Sequence, residues 1–166
     1  MIPEPSTPAR GKAFKGRGRP VDIHGERWYD TFMQGGKPGP VISAEDYRTI
    51  VSELMDELPE EFFRELSGGV IVSETFEIPD YACGNDLYTM GKYKVYSGVR
   101  QIVLFKGSFD RAYPQADTEE ARRILRGVLR HEFRHHLEYL GGVHNASSLE
   151  AEDERKKQEY LARHSK

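Results

Sequence analysis

The stretch from Asp117 to Gly142 constrains the fold more than any other part of the chain. Asp117 or Thr118 can cap a helix, Glu119 and Glu120 put negative charge in its first turn, and no proline intervenes before Gly141-Gly142. The spacing predicts one long helix to about Leu140. Ile124, Val128, His131 and His135 follow at steps of four, three and four, so one apolar stripe turns polar along its length. Gly127 inside the helix costs about 1 kcal/mol relative to Ala, which predicts close approach of a strand there.

Other elements are legible around it. Ser43 with Glu45 and Asp46 suits a helix start, and Tyr47, Ile50, Val51, Leu54 and Met55 repeat at helical spacing. Pro59 ends that helix and can open a second carrying Phe62, Phe63 and Leu66, which Gly68-Gly69 breaks. Val70-Ile71-Val72 reads as a short strand. Residues 87–96 and 99–105 alternate as strands on either side of Ser97-Gly98, which predicts a hairpin. Ser147 with Glu150 forms a capping box for a last helix through about Ala162.

Residues 1–40 differ in composition: roughly a third are Pro or Gly, and Arg10, Lys12, Lys15, Arg17 and Arg19 cluster there. They read as a flexible extension ahead of one domain over 41–166, with Trp28, Tyr29 and Phe32 as a patch able to dock on it. The basic cluster is a weak hint of a nucleic-acid partner, against which the net charge of −3 argues. No apolar run at the start suits a signal peptide and no later segment could span a membrane, so a cytoplasmic location is the expectation. A single cysteine, Cys83, excludes an intrachain disulfide and a thiolate zinc cluster and suggests only packing.

The chemistry sits at His131-Glu132-Phe133-Arg134-His135. Residues four apart share a helix face about 5–6 Å apart at Cβ, so two imidazoles can reach one zinc at roughly 2.0–2.1 Å. Glu132, next to the first histidine, is placed to take a proton from a metal-activated water. His136 points about 100° away from His135 and reads as packed or hydrogen-bonded.

A catalytic zinc needs a third protein ligand and one open position. Glu138 and Gly141 stand three and six residues after His135, which excludes a compact third ligand behind a glycine. The motif helix runs about five residues, roughly 7.5 Å, beyond His135, and a returning helix from Ser148 climbs back as far by residue 153. Asp153 is therefore the expected third ligand, with Glu150 second and Glu152 third. Leu149 and Tyr160 share its inward stripe. His144 on the connecting loop is the expected donor to a substrate oxyanion.

With these residues in place, the chain resembles the minimal zincin-like metallopeptidases of bacteria, from about Asp46 to Tyr160. The likeness rests on Glu57-Leu58-Pro59 with Phe62-Phe63, Asp86-Leu87-Tyr88 with Met90-Gly91 and Tyr93, Gly107-Ser108-Phe109, the block 131–138, and Leu149-Glu150-Ala151-Glu152-Asp153. Relatives with the shorter spacing carry an Asp six residues after the second histidine, where this chain has Gly141. The resemblance implies an α+β fold with N-terminal helices, a small mixed sheet, a long active-site helix and a C-terminal helix. It also implies that one zinc is bound by His131, His135 and an acid of the last block, with Glu132 as general base for hydrolysis of a peptide or protein substrate. In such a fold an edge strand aligns the peptide, and Val99 to Phe105 is the expected strand. Two rivals remain. One is a di-iron carboxylate protein, since Glu132 and His135 also spell its Glu-x-x-His element, although no second copy exists. The other is a non-catalytic, zinc-stabilised interaction domain.

Overall fold

The computed structural model describes residues 42–165; the expectations for the basic extension and for Trp28, Tyr29 and Phe32 lie outside them. The fold is α+β, with four helices, one 3-10 turn and a three-stranded mixed sheet. Helix α1 spans Ala44–Asp56, and Ser43 caps it by accepting the Asp46 amide. The helix expected after Pro59 is only a 3-10 turn, Glu60–Phe63, because Glu65 adopts a left-handed φ of 61° and ends the coil before Gly68. Its Phe62 and Phe63 still pack on Phe133, at ring-centroid distances of 6.3 and 5.0 Å.

Strands β1 (Gly69–Ser73), β2 (Gly91–Tyr96) and β3 (Val99–Phe105) form the sheet in the order β1-β3-β2. β2 and β3 are the predicted hairpin, turned by Ser97 and Gly98, both at positive φ as a tight two-residue turn requires. Only the second half of the 87–96 stretch is strand; residues 74–90 form a long irregular connection. β1 pairs with β3 in parallel, so β3 is the central strand. That overturns the expectation of Val99–Phe105 as the edge strand: both its sides are occupied, and among the described residues β2 is the edge strand that packs against the motif helix.

A short helix α2 (Lys106–Ala112), which periodicity did not reveal, leads to α3 (Thr118–Leu140), capped by Asp117. α3 buries Ala121, Leu125, Val128, Leu129 and Phe133 against Ile102 and Leu104 of β3 and against Tyr47, Ile50, Val51 and Leu54 of α1. Its buried face is thus one step round from the stripe of Ile124, His131 and His135, which stays half-buried along the flank. Among the described residues, nothing outside the helix's own backbone lies within 4 Å of a Cβ built at Gly127, so none of the three strands approaches it and that expectation fails. Helix α4 (Leu149–His164) starts one residue later than the capping box predicted: Ser148 accepts the Ala151 amide, while Ser147 bonds to Asn145. Among the described residues, no helix is long and apolar enough to cross a membrane.

Candidate metal centre

One turn of α3 separates His131 from His135 and brings their ring centroids to 5.0 Å. Both rings aim Nε2 at the same atom of α4, Asp153 Oδ2, at 3.0 and 2.9 Å. The three donor atoms all lie within 4.8 Å of one another, and no fourth His, Cys, Asp or Glu among the described residues joins them. Tetrahedral zinc with bonds of about 2.0–2.1 Å needs donors roughly 3.3 Å apart. Small outward shifts of the three side chains therefore make room for the ion, and the donor chemistry suits zinc.

Without an ion, the two imidazoles and the carboxylate hold one another. Burial alone would raise the Asp153 carboxyl, but the hydrogen bonds and charges of His131 and His135 hold it well below the usual carboxylate range. Burial disfavours charge on His135, yet the Asp153 hydrogen bond and the nearby Glu132 charge raise its pKa above the ordinary 6.5. A metal ion must displace these protons to bind.

Of the three acids considered as third ligand, the structure brings only Asp153 to the two histidines. Asp153 faces the histidines, Glu150 is exposed, and Glu152 is turned to Arg134 and Lys156, each at 3.1 Å. Glu138 and Arg134, which sequence reasoning named without giving them this role, set this register. Glu138 Oε2 accepts the Leu149 amide at 2.7 Å, a carboxylate at the first turn of α4, while its Oε1 accepts from Arg134 at 2.8 Å. The spacing of Arg134 and Glu138 by four is the signal that could have found the pair. Leu149 and Tyr160 are both buried, as the inward stripe required. Tyr160 anchors the far end of α4: its hydroxyl donates to Asp86 at 2.7 Å and accepts the Cys83 amide at 2.7 Å. Burial and Asp86 push that phenol up to about 12. Cys83 itself is exposed, so the packing expected of its thiol is not found.

Glu132 stands beside the cluster and does not belong to it. It is 5% exposed, and its Oε2 accepts the Tyr93 amide of β2 at 2.8 Å. Burial raises its pKa above the ordinary glutamate value, against the pull of His131, His135 and that amide. Tyr93 serves twice, because its hydroxyl meets His136 Nδ1 at 3.1 Å. His136 Nε2 lies 2.9 Å from the Arg64 carbonyl, which can only accept, so Nε2 carries the proton and Nδ1 accepts from Tyr93. His136 is fully buried on the face turned from the metal ligands, as its angular offset predicted.

Gly91 is the glycine at which strand and helix meet. A Cβ there would stand 2.8 Å from Val128 Cγ1, 2.9 Å from Glu132 Cγ and 3.0 Å from Glu132 Oε1. Gly91→Ala is expected to cost about 1–3 kcal/mol by overpacking and to push the Glu132 carboxylate off the Tyr93 amide. Chemical denaturation measures the first effect; the second would be seen as faster hydrogen exchange at the Tyr93 amide. A variant as stable as the parent would contradict this close fit.

The centre opens into a groove of about 600 Å³. One wall is Thr89 to Tyr93, the start of β2 and the two residues before it, the other is α4, and Pro79 and Tyr81 also line the groove. His144 lies exposed on the α3–α4 connection and does not line this groove. No family model and no curated protein matches the chain. The chain is similar in shape to a solved structure, a conserved hypothetical protein from Thermo thermophilus, with a TM-score of 0.52 and 27% identity. The match covers 60% of this chain and 98% of that one, so the shared part corresponds to nearly the whole of a small solved protein.

Proposed function

We propose that this protein is a zinc-dependent metallopeptidase of the HExxH type, similar to the minimal zincin-like peptidases. The observation that carries the reading is the convergence of His131 Nε2, His135 Nε2 and Asp153 Oδ2 beside a buried Glu132 that is excluded from the donor set. Three donors facing an open groove match a catalytic set, whereas a structural zinc site closes with a fourth side chain. That distinction favours an enzyme over the zinc-stabilised interaction domain.

Bound zinc supplies Lewis acidity, acidifying a water and polarising a carbonyl. The residues of the chain do the rest. Glu132 Oε2 stays on the Tyr93 amide, which leaves Oε1 to take the proton from the attacking water and return it to the leaving amine. An extended peptide lies along the free edge of β2, in the role the sequence suggested for β3.

Metal analysis of the purified protein, with a peptide-library cleavage assay run with and without a chelator, tests the reading. One zinc per chain and chelator-sensitive hydrolysis are expected. A metal-free protein, or hydrolysis indifferent to the chelator, would sink it. A pH dependence follows from the same geometry. Protons compete with the metal for the histidine ligands, and the raised pKa of His135 moves that competition upward. Zinc affinity should therefore be full at alkaline pH and begin to fall above pH 6.5 as the solution is acidified. A competition titration across pH measures it, and an affinity flat down to about pH 5 would contradict the histidine ligands.

A further inference from the structure

We infer that the groove selects peptides carrying carboxylate side chains on the stretch that lies against α4; this rests on the peptide reading above. Besides the residues of the metal centre, the groove is lined by five cations, Lys92 on β2 and Arg155, Lys156, Lys157 and Arg163 on α4, of which Lys156 lies nearest the centre, 4.0 Å from Asp153 Oδ1. Only two carboxylates, Glu152 and Glu159, stand against them, in a chain whose net charge is −3. Glu152 is already shared between Arg134 and Lys156. The groove is thus a positive feature on an acidic protein, and a divalent ion in the centre adds to it.

Lys92, Lys157 and Arg163 can change partner, whereas Lys156 is held by Glu152 at 3.1 Å and Arg155 donates to the Ala146 carbonyl at 3.1 Å. Lys92 pairs with Glu77 at 2.7 Å and Lys157 with Glu154 at 3.4 Å, but Lys92 and Glu154 are exposed and Lys157 only half-buried, and such solvent-facing pairs contribute little. Arg163 has no ion-pair partner among the described residues. A peptide carboxylate can therefore be exchanged for the resident acids at small cost.

Their spacing says where the acids belong. Asp153, Lys156, Tyr160 and Arg163 follow at steps of three, four and three, one face of α4. Along the helix axis Lys156 is about 4.5 Å from Asp153 and Arg163 about 15 Å. An extended peptide advances about 3.3 Å per residue. An acid one or two residues from the scissile bond meets Lys156 and Lys157, and one some four residues away, or a terminal carboxylate, meets Arg163. Lys157 also stands 5.3 Å over the Tyr81 ring, which packs edge-on against Tyr160 at 5.9 Å and offers an apolar wall between the charges. A nucleic-acid backbone is the other polyanion to consider. Its unbroken run of phosphates would meet Glu152, Glu159 and Asp153 on the same wall, whereas a peptide can leave those positions neutral.

Binding to the full-length, zinc-loaded Glu132→Gln protein, in which the probe stays intact, provides the test. Fluorescence polarisation compares a peptide bearing Glu at these positions with its Gln counterpart, and with a single-stranded oligonucleotide of equal charge. The Glu peptide should bind at least tenfold tighter at low salt, and the advantage should shrink at high salt as charges are screened. The combined substitution Lys156→Glu, Lys157→Glu and Arg163→Glu should abolish or reverse it. If that variant folds poorly, Lys156→Gln with Arg163→Gln should still remove most of the preference. Equal binding of the two peptides would overturn the inference, as would a preference that survives on the altered α4 or an oligonucleotide that binds as tightly as the Glu peptide. Should wild-type protein hydrolyse no peptide while this preference holds, the peptidase reading falls and the charge selection stands.

Discussion

Glu132→Gln is expected to retain zinc and fold while losing peptide hydrolysis by about 10²–10⁴-fold. The metal is retained because Glu132 lies outside the donor cluster of His131, His135 and Asp153. The fold is retained because a glutamine oxygen can still accept the Tyr93 amide, now at 2.8 Å from Oε2. A neutral amide in this buried position even avoids the desolvation that raises the glutamate pKa. What it cannot do is accept a proton. Turnover of the best library peptide, zinc content and thermal midpoint, measured together on the variant, separate these effects. Near-normal turnover would place the base elsewhere.

The second large effect concerns α4. Asp153→Ala should weaken zinc binding by more than the roughly 10–100-fold that loss of an outer partner costs, whereas Glu150→Ala should bind like the parent. The difference follows from placement: Asp153 Oδ2 meets both imidazoles within 3.0 Å, and Glu150 is exposed at the start of the helix. Glu138→Ala should fall between them, because it frees the Leu149 amide and loosens the turn that presents Asp153. Chelator-competition titrations of the three variants rank them. Parent-like affinity in Asp153→Ala with loss in Glu150→Ala would mean a different register for α4.

How far the sequence could be read depended on whether the signal was local. The 3.6-residue period, the acidic first turn and the glycine pair defined α3, and within it the spacing of His131, Glu132 and His135 predicted one shared face. Even Asp153 was reachable, because two antiparallel helices joined by a short connection must return at the same rise per residue, whatever the side chains between them. The charged, low-contrast pattern of α4 hides its true cap, so Ser147 reads as the cap where Ser148 fills that place.

Where partners come from distant parts of the chain, reading by pattern failed. β2 and β3 were both visible as strands, but strand order was not, since β3 becomes central only through parallel pairing with β1. The glycine that admits close contact is Gly91 on the strand and not Gly127 on the helix, and each looks the same in one dimension. Tyr93 stood out only through the family likeness, which gave it no role, yet its amide orients Glu132 and its hydroxyl is fixed by His136. By itself, then, the sequence determined the long helix, the donor types and their spacing, because helical geometry repeats within a few residues. Only the tertiary structure decided which strand edge faces the centre, which backbone amide holds the base and which cations line the groove. Those depend on contacts between segments 39 or more residues apart for the Tyr93–Glu132 and Tyr93–His136 bonds, which no local period records.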